Sequence, residues 1–368
     1  MIPMQSPTVS FVIPCYKLAH LLPECINSIL GQSFSDFEVL IMDDCSPDNT
    51  SEVAASFKDP RVKHIRNDPN LGHLRNYNKG ISLTRGRYVW LISADDYLRK
   101  PYILERYVNC LDSHPNVGYS ICPGYGVTNG VETELLGYYA AHADRDKVIP
   151  GRTLLKKLLR SNFVLVVSGM ARRECYEKIS LFPLDMPWCG DWYLWCLFAI
   201  HFDVAYFAEP MVCYRQHDLS MTNTLWQKSA LTCCEEETAV PWGIKRKADE
   251  AGALDVSREC LNALGEVYAR NIARKRWGAS ESLTLQQFEE SLCKNCEIEE
   301  ERARVRARVY AGIGNEYYWQ AELGLAKEYY HTALGKDPWM MSVHVKNLLL
   351  SLGKRGDYMR RAILSLRG

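Results

Sequence analysis

Two carboxylate pairs, Asp43-Asp44 and Asp95-Asp96, each follow at once on an apolar run, F-E-V-L-I-M in the first case and Y-V-W-L-I-S-A in the second. Adjacent carboxylates repel, and each raises the other's pKa unless positive charge sits beside them. A divalent cation, Mn2+ or Mg2+, shared by Asp95 and Asp96 answers that repulsion. It would also hold a diphosphate, which bare carboxylates repel. The simpler alternative is that Asp95 and Asp96 only cap the helix expected from about Pro101. A third run, T-V-S-F-V-I-P, ends in Cys15-Tyr16. Tyr16 offers a flat face to a base, while Asp44 or Asp43 offers an acceptor to an imide N–H or a ribose hydroxyl. A nucleoside diphosphate held through a metal uses all three ends.

The elements that must position these residues alternate. Strands are expected at Thr8–Pro14, Phe37–Met42, Val62–Ile65 and Tyr88–Ile92, and helices at Leu21–Gln32, from Ser46-Pro47-Asp48 onward, and at Leu71–Thr84. Strand and helix in strict alternation mean parallel neighbours joined by helical crossovers, hence an open α/β sheet, in which ligands sit outside the carboxyl ends of the strands. Neither G-x-G-x-x-G nor G-x-x-x-x-G-K-[ST] occurs near these strands, so neither a dinucleotide fold nor a P-loop is indicated.

Four motifs in order carry a resemblance: V-S-F-V-I-P-C-Y, F-E-V-L-I-M-D-D-C-S-P-D-N-T, N-L-G-H-L-R-N-Y-N-K-G-I and R-G-R-Y-V-W-L-I-S-A-D-D. Together they resemble a family 2 glycosyltransferase of the GT-A fold. The resemblance implies a Rossmann-like, mixed, mainly parallel sheet flanked by helices, and an inverting enzyme that moves a sugar from a nucleotide-diphosphate donor, a UDP-sugar above all, to a hydroxyl acceptor. By it Pro14, Tyr16 and Asp44 hold the nucleobase, Asp43 lies nearby, Asn78 contributes from the third motif, Asp95 reaches the ribose or the metal, and Asp96 binds the metal. Ser93 stands where many members carry the first Asp of D-x-D. That departure keeps alive a binding protein that has lost activity; a sugar nucleotidyltransferase is the other alternative, although Cys15-Tyr16-Lys17-Leu18 is no glycine-rich phosphate loop.

The middle of the chain should supply the acceptor side. Strands are expected at Tyr119–Gly130 and Phe163–Met170, and Asp191 opens an aromatic helix. A carboxylate there is either a cap stabilised by the helix dipole or, since G-D-W-Y-L-W resembles the family's E-D-x-x-L-W, the general base of an inverting transfer. Gly190 replaces the Glu of that segment. Trp188, Trp192 and Trp195 either stack on an acceptor sugar or fill the core. Y-R-Q-H at Tyr214–His217 resembles the family's Y-R-x-H, which puts Arg215 beside the leaving diphosphate and His217 there or in the metal shell.

Forty-four basic and 44 acidic residues cancel in this 368-residue chain, which argues against a nucleic-acid partner. The N-terminus lacks a signal-peptide pattern, no run reaches about 18 apolar residues, and the 14 cysteines read as reduced thiols, so a cytoplasmic protein is expected, with contact on the cytoplasmic membrane face left open. Cys293-Lys-Asn-Cys296 is a single C-x2-C and a poor zinc site. Residues 1–225 read as the transferase domain, with 1–97 the nucleotide half and 98–225 the acceptor half. From about Ala230 strand signals vanish, so residues 226–368 read as an all-α domain. Within it Tyr310, Ile313, Gly314, Tyr317, Ala326, Tyr330, Ala333 and Pro338 resemble one tetratricopeptide repeat over 307–340. The acceptor is left open among a glycan, a lipid-linked carrier and a protein. The helices of the C-terminal domain, with basic residues Lys354, Arg355, Arg360, Arg361 and Arg367, are candidates for contact with a membrane or protein.

Overall fold

The computed structural model describes residues 6–137, 144–218, 220, 229–273 and 282–352, in two compact units, Met1–Met221 and Thr222–Gly368. The expected boundary at 225/226 and the basic residues from Lys354 onward lie outside the described residues.

The first unit is built on an eight-stranded sheet. Its strands are β1 (Val9–Cys15), β2 (Phe37–Asp43), β3 (Val62–Arg66), β4 (Tyr88–Leu91), β6 (Val117–Ile121), β9 (Lys147–Ile149), β10 (Met170–Arg172) and β11 (Asp203–Tyr206), in the order β3-β2-β1-β4-β10-β6-β11-β9. The first four run parallel; β10 is antiparallel to both β4 and β6, β11 is parallel to β6, and β9 is antiparallel to β11. Every residue of β1, β2 and β4 is buried, which is why these strands read as continuous apolar runs without alternation. A second sheet joins β5 (Tyr97–Leu98), β12 (Val212–Arg215), β7 (Gly124–Thr128) and β8 (Val131–Leu136). It brings the segment after Asp96 alongside Arg215.

Helices α1 (Leu22–Leu30), α2 (Thr50–Ser56), α3 (His73–Ser82), α4 (Ile103–Ser113), α5 (Gly151–Leu158), α6 (Arg173–Lys178) and α7 (Gly190–His201) accompany the sheets. α3 packs closely on β1 and β2 because Gly80 sits at the contact: a Cβ there would lie 2.5 Å from Val12 Cγ1 and 3.0 Å from Met42 Cγ. Gly80→Ala therefore overpacks the layer behind both strand ends, and we expect a loss of about 1–3 kcal/mol, read as a lower urea midpoint. Inside the core, Phe11, Trp90, Tyr107 and Phe207 form a column with ring separations of 5.5, 5.1 and 4.9 Å. Trp192 and Trp195, at 4% and 3% exposure, belong to the core as well. Trp188 is half-buried.

Two expected strands differ. Tyr119–Gly130 is broken at Pro123, which has no N–H for a ladder, and its halves enter different sheets as β6 and β7. Over Phe163–Met170 the chain makes a 3-10 turn at Val166–Ser168, because Trp90 Nε1 and Tyr107 Oη donate to the carbonyls of Val167 and Ser168 at 2.9 and 3.1 Å and occupy acceptors that a ladder would need.

The described residues of the second unit are helical: α8 (Ala230–Glu250), α9 (Leu254–Ala273), α10 (Leu285–Asn295), α11 (Glu299–Trp319), α12 (Leu323–Lys336) and α13 (Met341–Ser351). α11 and α12 form a hairpin in which Gly314 lets the Tyr330 ring approach; a Cβ on Gly314 would sit 2.7 Å from it. Ala326, Tyr330 and Ala333 are fully buried there, and Tyr330 donates to Asn315 at 2.9 Å.

Candidate active site

The carboxyl ends of β1, β2 and β4 place the expected groups at one edge of the sheet. Pro14 accepts from the Ala94 N–H at 3.1 Å and Asp44 N–H donates to Cys15 O at 2.9 Å, so the three ends are tied to one another. Tyr16 projects from β1 with 45% exposure, and Lys17, at φ +61°, holds its ammonium 5.0 Å from the Tyr16 ring.

Asp44 is held rigidly. Its Oδ1 accepts from Asn67 Nδ2 and Leu71 N at 2.8 Å each, and its Oδ2 accepts from Gly72 N at 2.9 Å. A carboxylate offers about four lone-pair directions. Three are filled by these donors, and one on Oδ2 is not. Behind it, Asn67 Nδ2 also donates to Asn76 Oδ1 at 2.8 Å, Asn76 Nδ2 donates to Met42 O at 2.9 Å, and Lys79 donates to Asn67 Oδ1 at 2.7 Å.

Two of the expected residues spend their side chains on neighbouring elements. Asp43 is fully buried, and its carboxylate accepts from Ser46 N (2.8 Å), Arg66 Nη1 (2.8 Å) and the His64 ring (3.2 Å). Burial alone would raise its pKa, but those donors outweigh it and hold it below the usual carboxylate value. Asp43 anchors the β2 end to β3 and to the turn that follows β2. Asn78 faces away from Asp44: its amide donates to Phe182 O and accepts from Phe182 N, both at 2.9 Å. The residues of α3 that reach the Asp44 network are Asn76, 2% exposed, and Lys79. Asn76→Ala should weaken nucleotide affinity about tenfold by loosening Asp44, since it leaves buried amides unpaired. Asn78→Ala should lower stability and leave that affinity unchanged; paired nucleotide titrations and melts check both.

At the end of β4, Asp95 Oδ2 lies 2.9 Å from His217 Nε2. Asp96, 3% exposed, accepts the Arg215 N–H on Oδ1 at 2.8 Å. Arg215 also donates from Nε to Asp95 O at 2.8 Å and from Nη2 to Glu24 at 2.5 Å. The arginine thus braces the carboxylate pair from below. Burial, and after it the charge of Asp95, push Asp96 well above the ordinary carboxylate value despite Arg215. Among the described residues no group of three or more His, Cys, Asp or Glu side chains is gathered around a common point, so the expected set of Asp95, Asp96 and His217 is drawn together only as the Asp95–His217 pair with Asp96 beside it.

Asp191 occupies the first turn of α7, half-buried, and Asn162 Nδ2 donates to its Oδ2 at 3.0 Å. Burial pushes its pKa up to about 6, against the hydrogen bonds from the Trp192 backbone and Asn162 that lower it. Gly190 leaves room for the Phe182 and Leu74 side chains, which a Cβ would meet at 3.3 and 3.5 Å. Tyr77 on α3 is half-buried. Its pKa is raised by burial and then by the charges of Asp95, Asp191 and Asp96, so all three carboxylates lie within electrostatic reach of one hydroxyl. An adjacent carboxylate pair and a carboxylate with a pKa raised to about 6 are thus gathered near the same side chain.

Residues 10–178 match the model of glycosyl transferase family 2. An uncharacterized glycosyltransferase of Rickettsia typhi is 29% identical over 246 residues, covering 66% of this chain and 73% of the relative. Glycosyltransferase GlyG of Streptococcus pneumoniae is 32% identical over 189 residues, 51% of this chain and 52% of that protein. Among solved structures, Staphylococcus aureus TarS 1–349 in complex with UDP-GlcNAc is similar over 95% of this chain and 91% of that one, with a TM-score of 0.61 and 17% identity, a likeness of fold. The sheet order and the carboxylate pairs at its strand ends agree with the match of residues 10–178 to glycosyl transferase family 2.

Proposed function

We propose that the protein is an inverting, metal-dependent glycosyltransferase that moves a sugar from a UDP-sugar to a hydroxyl acceptor. The observation that supports the reading is that Asp95, Asp96 and Asp191 all lie within electrostatic reach of the Tyr77 phenol, with Asp95 and Asp96 at the end of β4. Tyr16 stacks on the base, and the remaining Oδ2 lone pair of Asp44 takes an imide N–H, which suits uracil. The TarS structure with UDP-GlcNAc supports a uridine donor.

Two carboxylates and an imidazole are a donor set of the kind Mn2+ or Mg2+ accepts, and Asp96, buried with a raised pKa beside a second carboxylate, is a site that cationic charge relieves. Asp95, Asp96 and His217 would hold the ion, which when bound neutralises the leaving diphosphate. Arg215 keeps the pair in place through its backbone N–H and Nε. On the other side Asp191 accepts the acceptor hydroxyl proton as that oxygen bonds to the anomeric carbon, the carbon–phosphate oxygen bond breaks on the opposite face, and the nucleoside diphosphate leaves with the electron pair. Asn162 fixes which carboxylate oxygen faces the acceptor. A pKa near 6 leaves Asp191 ionised at neutral pH yet basic enough to take the proton. The acceptor belongs to glycan or polysaccharide assembly, a reading supported by likeness to ExoO, a succinoglycan biosynthesis protein of Rhizobium meliloti, 37% identical over 107 residues, 29% of this chain and 30% of that protein. A panel of UDP-sugars with saccharide acceptors, read by proton NMR of the new anomeric centre, should show inversion; retention, or no turnover with any nucleotide sugar, would remove the assignment.

A further inference from the structure

The second unit holds a cavity of about 440 Å³ between α9, α11 and the start of α13. Cavities of about 300–1,000 Å³ hold small ligands. α9 and α11 touch through small residues: a Cβ on Gly312 would lie 2.5 Å from the Ala269 Cβ, and one on Gly265 would collide with the Arg308 Cβ. The walls come from longer side chains, among them Glu266, Arg270, Arg308, Asn315, Glu316 and Trp319. Most of these are polar, so an apolar occupant is disfavoured.

Arg308 is the wall residue whose needs the fold does not meet. Its Nε is buried without a hydrogen-bond partner, and among the described residues no carboxylate pairs with its guanidinium. A buried donor left unsatisfied destabilises the unit, and a carboxylate or phosphate takes guanidinium N–H groups two at a time. Asn315 Oδ1 accepts from Tyr330 Oη at 2.9 Å and from Lys346 Nζ at 2.6 Å, which fixes the amide and leaves Nδ2 to donate to a ligand. Glu266 and Glu316 add acceptors for hydroxyls, and Trp319 adds a flat apolar face. An anion receptor, an amide donor, hydroxyl acceptors and one indole match a sugar ring that carries a negative charge.

We propose that this cavity binds an anionic saccharide. Arg308 takes its carboxylate or phosphate, Asn315 Nδ2 and the two glutamates take hydroxyls, and Trp319 takes the C–H face of the ring. The cavity lies outside residues 10–178, and the inference stands independently of the transferase reading.

The test is calorimetric titration of the full chain with glucuronate and with the phosphate ester of glucose at its primary hydroxyl, beside glucose and inorganic phosphate as controls. Wild type should bind at least one of the two sugar acids saturably, and more tightly than either control by about tenfold or more. Which acid binds separates a carboxylate ligand from a phosphate ligand. Arg308→Gln should lower that affinity about tenfold or more. The glutamine keeps the stem that packs on Gly265, so circular dichroism and the melt should match wild type. Trp319→Leu keeps apolar bulk beside Tyr318 and should weaken the sugar acid while leaving inorganic phosphate unchanged. Wild type that binds neither acid overturns the proposal, as does an Arg308→Gln variant that binds them like wild type, since the ligand would then sit elsewhere. Inorganic phosphate bound as tightly as the sugar phosphate, with Trp319→Leu unaffected, also overturns it, because the cavity would then serve a simple anion alone.

Discussion

Asp191→Asn should slow transfer by about 10²–10⁴-fold and stabilise the protein above pH 6. The catalytic half follows from the role of the carboxylate: an amide keeps the shape but cannot take a proton, and loss of a positioned general base costs about 10²–10⁴-fold in rate. Donor binding, made by other residues, should be unchanged. In wild type, log kcat/KM should rise with pH through about 6, as Asp191 loses its proton, and level off above. The stability half follows from the same pKa. A carboxyl raised from 3.8 unfolded to about 6 folded favours the folded state fully only below 3.8, and that contribution is lost as pH rises through 6. Above pH 7 the charge costs about 3 kcal/mol, and the amide variant escapes it. Melts of the two proteins should differ at pH 8 and converge near pH 4. A variant that is inactive and no more stable at pH 8 would separate the base from the burial argument.

Asp96→Asn should cut metal-dependent affinity for UDP by at least about 100-fold and leave the metal-free fold intact or slightly more stable. The amide oxygen still accepts the Arg215 N–H at the position of Oδ1, so the brace between β4 and β12 persists. What disappears is one of two carboxylates side by side, and with it the charge that draws a divalent ion to the pair. Calorimetric titration of UDP with Mn2+ reads the affinity, and a urea melt without metal reads the fold. Equal UDP affinity in variant and wild type would mean that the nucleotide is held by Tyr16 and Asp44 without help from this pair.

The nucleotide half was legible because its strands are buried on both faces: β1, β2 and β4 appear as unbroken apolar runs, and each ends in the polar residues of the candidate site. The middle was harder. Pro123 divides one apolar segment between two sheets, β8 is a strand of exposed residues with no apolar alternation, and Val166–Ser168 is turned by hydrogen bonds from Trp90 and Tyr107, which lie more than 50 residues earlier. Among the expected residues, Tyr16, Asp44, Asp95 and Asp96 stand just past the strand ends, where Arg215 and His217 meet Asp95. The division of labour within Asp43-Asp44 was not legible, because it depends on Arg66 and His64 from a neighbouring strand and on the backbone amides of Leu71 and Gly72. Asn76 differs from Asn78 only in which face of α3 it occupies, and that face is set by Gly80 against Val12 and Met42.

The most direct test of the central claim is titration of UDP into the wild-type protein with Mn2+ and again with a chelator. The account predicts saturable binding with the metal that weakens sharply when it is removed. Absence of UDP binding in the presence of either Mn2+ or Mg2+ would contradict it.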